Sequence, residues 1–528
     1  MHLDESIKVP IPEHKIAYKT VSGKKYVYYT VACYRNEQGK PMSDRVSIGK
    51  LDEKTGLLIP NRNYYEVYLK QTPPIKGGIH SYGVYYTFSK ICEQLGITKI
   101  LKRLFPECYK EILTMSQYML TEGNTMYYLE DYTEEHETSL HGLMDDKKCS
   151  KIFASIRPED VMLFFREWIK QKKSDEYIAY DITSISSYSK NIAECEWGYN
   201  RDKEKLPQIN LGMYYGETSR LPLYYRVYPG SISDKTHLKY MVSDNDLIDV
   251  KRLRYVMDRG FYSADNLNYL VEKGHRFIIA LPQSLNYVKD LISKHGNEIV
   301  NSSECMISKN LFAKYYETNA LGFRMKVHLY YDSFKAATES ESLFELIERQ
   351  ENDLKSMEEP PDKKYHYDRF FFINRSKDGK LGFRKNHKAI DEALKQCGFF
   401  LIAETDFKKS SKEILEIYRK RDVIEKSFDD LKNEIDIKRT HTQNSETLQG
   451  KIFTAFISLI VRSYMQTNLE TLKNSKNFTQ RKIFNELDKI KVLELTQNSK
   501  PQPLNPLTKI QRDILTALNL PEINSCMG

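Results

Sequence analysis

Residues 177–186, YIAYDITSIS, begin a run of strand-forming sequence around which the rest of the chain is arranged. The segments INLGMYYG (209–216) and LPLYYRVYPG (221–230) follow, with the turn residues ETSR between them. All three segments are rich in Tyr, Ile, Leu and Val, which favour β-strands. We therefore predict a three-stranded antiparallel meander.

The next segments alternate between strand and helix. RYVMDRG (254–260) predicts a short strand that ends at Asp258. Ser263 is a suitable N-cap for the helix ADNLNYLVEKG (264–274), and RFIIALP (276–282) predicts another strand. Three antiparallel strands followed by strand, helix and strand is the order of a ribonuclease H-like sheet. The predicted fold class is therefore α/β, with a ribonuclease H-like core.

Two aspartates, Asp181 and Asp258, each lie near the end of a short apolar strand. An unpaired carboxylate inside a protein core is costly, and the residues around Asp181 include no evident basic neighbour. A divalent cation shared by the two aspartates would remove this cost. Buried structural aspartates are the alternative interpretation.

A third acidic residue, Glu425, lies in a helix predicted over residues 411–435, SKEILEIYRKRDVIEKSFDDLKNEI. At about 100° per residue, Tyr418, Arg421, Glu425 and Lys432 fall within about 60° of one another. An apolar stripe beside them predicts the face that packs on the core. A carboxylate with an Arg before it and a Lys after it can bind a metal ion next to an anion. Such charges also occur on solvated helix faces.

The whole chain divides into six predicted domains. In order they are an N-terminal β-rich domain (1–75), a helical domain (76–175), the first part of the core (176–285), a mostly β insertion domain outside the core sheet (286–385), the second part of the core (386–466) and a helical tail (467–528). CGFFLIAET (397–405) is predicted to return to the core sheet, and the apolar helix at 450–465 to pack against it. The two N-terminal domains are candidates for DNA binding, with simple packing modules as the alternative.

Composition limits the classes of protein to which the chain can belong. Of its 528 residues 40% are hydrophobic, which predicts a folded protein, and the net charge of +8 is compatible with a polyanionic partner. The eight cysteines form no CxxC pair, so neither a zinc ribbon nor a redox dithiol is supported. No apolar stretch predicts a signal peptide or a membrane span. We expect reduced cysteines and a cytoplasmic location.

The spacing of the helix residues matches a known family. Tyr418, Arg421, Glu425 and Lys432 fit, without a gap, the Y-(2)-R-(3)-E-(6)-K signature of the DDE transposases of bacterial insertion sequences, in the insertion sequence family four lineage. YVYYTVACYRNEQGK, YDITSISSYSK, PGSISDKT and VMDRGFYS resemble a long-chain subgroup of that lineage. The likeness covers most of the chain. In the family, a β-rich domain is inserted between the second Asp and the Glu, where residues 286–385 lie.

The resemblance implies roles for particular residues. Three carboxylates would be catalytic and bind metal: Asp181, Asp258 and Glu425. Three side chains would contact the DNA ends: Tyr418, Arg421 and Lys432. The implied cofactor is Mg²⁺, two ions per active site, with Mn²⁺ able to substitute. We add Thr183 as a neighbour, because a residue two positions after Asp181 lies on the same strand face.

The implied activity is DNA transposition. The enzyme would bind double-stranded DNA at the transposon ends, cut it by Mg²⁺-dependent hydrolysis and join the 3′-OH ends to target DNA. Joining two ends requires at least two protomers, so we expect a homodimer on DNA. We expect no membrane association. One alternative is a metal-dependent nuclease of the same fold without strand transfer. A second is a non-catalytic DNA-binding protein derived from a transposase.

Overall fold

The computed structural model describes residues 7–21, 23–35, 38–71, 79–171, 176–357, 367–375, 381–472, 478–493 and 502–523. The strands are β1 (Ile16–Val21), β2 (Lys24–Arg35), β3 (Pro41–Asp52), β4 (Leu57–Pro60), β5 (Ile79–Ser81), β6 (Tyr177–Ser186), β7 (Gln208–Gly216), β8 (Pro222–Pro229), β9 (Arg254–Met257), β10 (Arg276–Ala280), β11 (Met306–Ser308), β12 (Leu311–Thr318), β13 (Met325–Asp332), β14 (Phe371–Arg375), β15 (Leu381–Lys385), β16 (Phe399–Glu404), β17 (Lys491–Leu493) and β18 (Gln502–Pro503).

The α-helices are α1 (Gly83–Gln94), α2 (Ile97–Leu104), α3 (Tyr109–Thr121), α4 (Leu129–Glu135), α5 (Asp146–Ser155), α6 (Pro158–Lys170), α7 (Asp234–Ser243), α8 (Ala264–Glu272), α9 (Asn286–Ile299), α10 (Ser333–Ser356), α11 (His387–Leu394), α12 (Ser411–Arg419), α13 (Asp422–Asp429), α14 (Ser445–Asn468), α15 (Gln480–Asp488) and α16 (Lys509–Ala517). The segments Tyr64–Leu69 and Asp430–Glu434 are π-helical. Parts of the predicted insertion and tail domains lie outside the described residues: 358–366, 376–380, 473–477, 494–501 and 524–528.

The described residues separate into two compact units. The first contains residues 1–87, 127–146 and 481–528, and the second contains residues 88–126 and 147–480. In the first unit, β1 to β4 form an antiparallel sheet in chain order, which confirms the predicted strand-rich N-terminal region. A second, three-stranded sheet of the same unit has the order β18-β17-β5.

A nine-stranded sheet is the centre of the second unit, with the order β11-β12-β13-β16-β10-β9-β6-β7-β8. The predicted meander is confirmed, because β7 pairs antiparallel with both β6 and β8. β9 pairs parallel with β6 and with β10. β16 returns to the sheet antiparallel to β10, as predicted for residues 397–405.

Helices cover both faces of the meander. On one face, the ring of Phe165 in α6 lies 5.1 Å from that of Tyr225 and 5.4 Å from that of Phe456 in α14. On the other face, His237 of α7 stacks on Tyr228, with ring centroids 3.3 Å apart. Each aromatic pair contributes about 0.5–1.5 kcal/mol beyond the burial of its area. Because both faces are covered, β7 is buried along its whole length.

The region 286–385 differs from its prediction as a mostly β domain outside the core sheet. It contains the helices α9 and α10, of 14 and 24 residues. Its strands β11 to β13 extend the core sheet, since β13 pairs antiparallel with β16 and the rings of Tyr330 and Phe400 stack at 4.8 Å. Among the described residues of this region, β14 and β15 alone form a separate hairpin, which shares an apolar core with α10 and α11. The expectation that this region leaves the sheet is therefore wrong.

The single helix predicted over residues 411–435 is broken. Between α12 and α13 the N–H of Arg421 bonds the carbonyl of Tyr418, three residues back, at 3.1 Å. This tighter turn, and the wider π-helical turn at Asp430–Glu434, rotate the side chains away from the regular 100° spacing. Lys432 lies in this wider turn.

The apolar helix predicted at 450–465 is confirmed as part of α14, whose side chains are buried along most of its length. Two buried cations lie on it. Arg462 pairs with Asp430 of the π-helical segment, and Lys451 donates to Asn124 at 2.8 Å. No helix in the described ranges of the chain has the length and apolar character required to span a bilayer.

Candidate active site

The two predicted aspartates lie side by side in the core sheet. Asp258 directly follows β9, as expected, whereas Asp181 lies in the middle of β6 and not near its end, because pairing with β7 continues to Ser186. β6 and β9 are parallel neighbours, and Tyr180 pairs with Met257 in their register. Asp181 and Asp258 are the next residues of the two strands. Neighbouring strands are about 4.8 Å apart, so the sheet brings together two carboxylates that are far apart in the sequence.

Asp181 is a mostly buried carboxylate, with its side chain 17% exposed. Its Oδ1 accepts a hydrogen bond from the backbone N–H of Ile182 at 2.8 Å. Burial raises the pKa of Asp181 to about 6, although this hydrogen bond and the charges of Arg201 and Arg421 act to lower it. The ionised form is therefore costly in this environment, and a nearby cation would stabilise it.

Arg421 links the aspartates to the third acidic residue. Its Nη2 lies 2.9 Å from Oε1 of Glu425, and its Nη1 lies 4.0 Å from Oδ2 of Asp181. Burial acts to lower the pKa of Arg421, but the nearby carboxylates of Asp258, Asp181 and Glu425 act to raise it, and the pKa is raised. Arg421 thus lies between two of the predicted carboxylates, Asp181 and Glu425.

Tyr418 completes this arrangement. Its hydroxyl donates a hydrogen bond to Oδ1 of Asp258 at 3.2 Å, and the guanidinium of Arg421 lies 5.6 Å from its ring centroid. Burial raises the pKa of Tyr418, so the hydroxyl keeps its proton at neutral pH and acts as a donor. The signature residues Tyr418 and Arg421 therefore contact the predicted acidic residues directly.

Lys432 has a different partner. Its Nζ lies 2.7 Å from Oδ2 of Asp202, in the loop between β6 and β7. The side chain is buried, so the pair fastens that loop to the π-helical segment. Thr183 is buried on β6, paired with Leu211 of β7, at the predicted position two residues after Asp181.

Two further residues near the site have functions that the sequence did not predict. Arg201 lowers the pKa of Asp181 by its charge and forms an ion pair with Asp234. Asp202 holds Lys432. Both belong to the segment GYNRDK. The adjacent opposite charges of Arg201 and Asp202 are the feature of the sequence that could have indicated a role in ion pairing.

The acidic side chains are chemically suited to bind a divalent cation. Carboxylate oxygens are the ligands that Mg²⁺ and Mn²⁺ prefer, and the raised pKa of Asp181 indicates a charge that a cation would offset. Within the described part of the chain, no three His, Cys, Asp or Glu side chains are grouped closely enough to hold a single metal ion. Glu425 is instead paired with Arg421.

Comparison with known families identifies the domain that contains these residues. The profile of the Transposase DDE domain family matches residues 172–461, more than half of the 528-residue chain. The chain belongs to this family. DDE transposases cut and join DNA and generally use divalent metal ions. The matched region includes Asp181, Asp258 and Glu425, and the prediction of a DDE transposase is confirmed at the level of the family.

One solved structure is similar to this transposase at low identity. It is titled "Cryo-EM structure of piggyBac transposase synaptic complex with hairpin DNA", is 12% identical in sequence and has a TM-score of 0.32. The alignment covers 84% of this chain and 77% of that chain. No curated protein matches the transposase.

The raised pKa of Asp181 predicts a stability change in the metal-free transposase. The folded chain holds the Asp181 proton more tightly than the unfolded chain, since burial raises the pKa from its ordinary 3.8 to about 6. The free energy of unfolding therefore falls as pH rises through this range, and the loss is complete above it. Asp181→Asn should stabilise the protein at pH 8 by about 1–3 kcal/mol, measured as a higher Tm in EDTA.

Metal provides the second half of this test. Mg²⁺ should raise the Tm of the wild-type protein more than that of Asp181→Asn, because the amide is a weaker ligand. Asp249→Asn is the control, because Asp249 is an aspartate whose pKa is lowered by Lys170. It should show no gain at pH 8. Equal Tm values for wild type and Asp181→Asn at pH 8 would contradict the inferred cost of the Asp181 charge.

Proposed function

We propose that this transposase binds the ends of its own DNA element, cuts them by Mg²⁺-dependent hydrolysis and joins the 3′-OH ends to target DNA. The observation that carries the proposal is that Arg421 lies 2.9 Å from Glu425 and 4.0 Å from Asp181, while the neighbouring Tyr418 donates to Asp258, inside the matched DDE domain. We further propose a bacterial insertion sequence of the family four lineage, long-chain subgroup, as the source of the element.

A ribonuclease H-like core is part of the proposal. It is supported by the strand order β8-β7-β6-β9-β10, with an antiparallel meander followed by two strands parallel to β6. The parallel pair β6 and β9 carries Asp181 and Asp258, and α13 carries Glu425. The ordered sheet thereby fixes two of the acidic groups, and the helix packed beside β6 supplies the third.

The proposed catalytic role of the acidic residues is metal binding. Asp181, Asp258 and Glu425 would hold two Mg²⁺ ions, which when bound activate the attacking oxygen and stabilise the leaving one. The protein's own contribution is to bury Asp181, to place Asp258 next to it and to hold Tyr418 as a hydrogen-bond donor to Asp258.

Arg421 is proposed to bind a phosphate of the DNA end. Its Nε is buried without a hydrogen-bond acceptor among the described residues. A phosphate oxygen would satisfy this donor, and a planar guanidinium binds phosphate through two parallel N–H groups. The proposed DNA contacts of the signature are Tyr418 and Arg421 at the carboxylates, and Lys432 through the loop that it holds.

The wider setting of the reaction is also proposed. Two ends must be held together for joining, so the active assembly would be a homodimer on double-stranded DNA. The protein would act in the cytoplasm, at the nucleoid. The net charge of +8 supports association with DNA. The N-terminal β-rich and helical regions are the proposed sites of additional DNA binding.

The proposal is tested with the terminal inverted repeats of the element. A labelled duplex carrying one end is incubated with the full chain and Mg²⁺, and a precleaved end is offered together with a supercoiled plasmid. Cleavage followed by joining is the expected result. Cleavage without joining would favour the nuclease alternative. Binding without cleavage would favour the non-catalytic DNA-binding alternative.

Arg421→Ala is expected to weaken binding to the end duplex by about tenfold or more, because it removes one phosphate contact. The slope of log affinity against log salt should become less steep by about one. Arg421→Lys keeps the charge but loses the paired N–H groups, so it should recover only part of the affinity. Arg419→Ala, at an exposed arginine of α12, is the matched control. An unchanged salt slope in Arg421→Ala would contradict the phosphate contact.

A further inference from the structure

The loop of residues 187–207, between β6 and β7, displays three aromatic side chains to solvent. Tyr188, Trp197 and Tyr199 are 73%, 67% and 83% exposed. Large aromatic side chains normally bury most of their area, and three exposed ones in a single loop are candidates for contact with a ligand. We call these three residues with their loop the aromatic loop.

The backbone of the aromatic loop is held in place. Gly198, between the two most C-terminal aromatic residues, packs so tightly on Gly230 that a Cβ atom would lie 1.8 Å from its carbonyl oxygen. Gln208 Nε2 donates to the carbonyl of Tyr199 at 2.8 Å, and Glu196 pairs with Gln208 through two backbone hydrogen bonds. The exposed rings therefore stand on a fixed support, which lowers the entropy lost on binding.

The same loop is fastened beside the acidic site. Lys432 binds Asp202 at 2.7 Å, and Arg439 forms an ion pair with Glu204. Arg201 of the loop is near enough to Asp181 for its charge to lower the pKa of that carboxyl. These contacts join the aromatic loop to β6, to the π-helical segment after α13 and to the residues that follow it.

The aromatic loop carries four basic and four acidic residues, and its free cations are the groups available to an anionic ligand. The carboxylates of Asp202 and Glu204 are paired with cations, and those of Glu194 and Glu196 accept hydrogen bonds from Ser445 and Ser231. The exposed ammonium groups of Lys190, Lys203 and Lys205 have no partner among the described residues. The guanidinium of Arg439 lies 5.4 Å from the ring centroid of Tyr188, and a groove of about 510 Å³ lies between residues 187–191 and 439–443.

We propose that the aromatic loop binds unpaired bases of the DNA substrate next to the acidic site. Trp197 and Tyr199 would stack on bases, and the free lysines would hold the adjoining phosphates. Exposed rings interleaved with cations on a fixed loop are typical of surfaces that bind single-stranded nucleic acid. The inference rests on the proposed function only in naming DNA as the substrate. It adds that the substrate has unpaired bases at this position, and that Lys432 is a positioning residue for the loop.

The two tryptophans of the chain make a direct test possible. Trp168 is fully buried and Trp197 is 67% exposed, so a ligand stacking on the aromatic loop should quench only Trp197. The full chain in EDTA is titrated with a 12-nucleotide dT oligonucleotide and with an abasic oligonucleotide of the same length. Saturable quenching by dT at concentrations where the abasic strand has little effect is the expected result. Equal binding of both strands would overturn the inference, because only phosphates would then be recognised.

Substitutions in the aromatic loop test which rings bind the oligonucleotide. Trp197→Ala and Tyr199→Ala should each weaken binding of a labelled dT oligonucleotide by about tenfold, measured by fluorescence anisotropy. Phe334→Ala removes a 70% exposed ring on α10 and should have no effect. Gly198→Ala keeps both rings but displaces their support, and it should also weaken binding. Unchanged affinity in Trp197→Ala and Tyr199→Ala would overturn the assignment even if dT is bound elsewhere.

The outcome is separable from that of the proposed function. Binding of dT is measured without metal, and Asp181→Asn should bind dT like the wild type. If the acidic variants lose cleavage but the aromatic variants bind dT normally, the transposase mechanism stands and the aromatic loop has no role in base binding. If dT binding depends on the rings but Asp181→Asn still cleaves, the catalytic assignment fails and the base-binding surface stands.

Discussion

Asp181→Asn, Asp258→Asn and Glu425→Gln are each expected to reduce Mg²⁺-dependent cleavage of an end duplex by at least about 10³-fold. Each change replaces a charged oxygen ligand with a neutral amide, which binds hard cations weakly. A bound cation contributes several kcal/mol to the transition state of phosphodiester hydrolysis, and this is the energy lost. Cleavage rates are measured on a denaturing gel, and binding of the same duplex by anisotropy.

DNA binding should persist in all three variants, because Arg421 and Tyr418 remain. Asp422→Asn is the matched control, since Asp422 is an exposed carboxylate on the same helix as Glu425 and three residues before it. It should cleave at the wild-type rate. Near-normal cleavage by any one of the three acidic variants would remove that residue from the proposed catalytic group.

Arg462→Met is expected to destabilise the transposase by about 3–5 kcal/mol, the second large effect. Arg462 is buried on α14, with its Nε 2.8 Å from Asp430 and its Nη2 2.9 Å from Glu434. Its removal leaves the Asp430 carboxylate buried with Gln466 as its remaining partner, and an uncompensated buried charge is costly. The change is measured as a fall in Tm and in the denaturant midpoint.

The paired substitution Arg462→Met with Asp430→Leu separates charge from packing. If the buried charge is responsible, the double variant should recover much of the lost stability, since neither partner is then left alone. If the double variant is less stable than the single one, lost packing between α14 and the π-helical segment is the cause. The segment also carries Lys432, so the single variant should in addition bind dT more weakly if the aromatic loop moves.

Local sequence composition was sufficient to predict much of the architecture. The meander β6 to β8, the strand that ends before Asp258 and the buried helix α14 all come from nearly continuous runs of apolar and strand-forming residues. The placement of 286–385 could not be predicted in this way, because β13 joins the sheet through pairing with β16, about seventy residues later. Strand runs identify strands, but the choice of neighbour depends on packing over the whole sheet.

In the candidate site, too, some features of single residues were predictable from the sequence and others were not. The sequence by itself determined that Asp258 follows a strand, the spacing of Tyr418, Arg421 and Glu425 and membership of the DDE family. Only the tertiary structure decided that Arg421 lies between the carboxylates, and that Lys432 binds Asp202, 230 residues away in sequence. The break after α12 and the π-helical turn set these partners. They arise from contacts with β6, α14 and the aromatic loop, and a side-chain pattern along one helix does not encode those contacts.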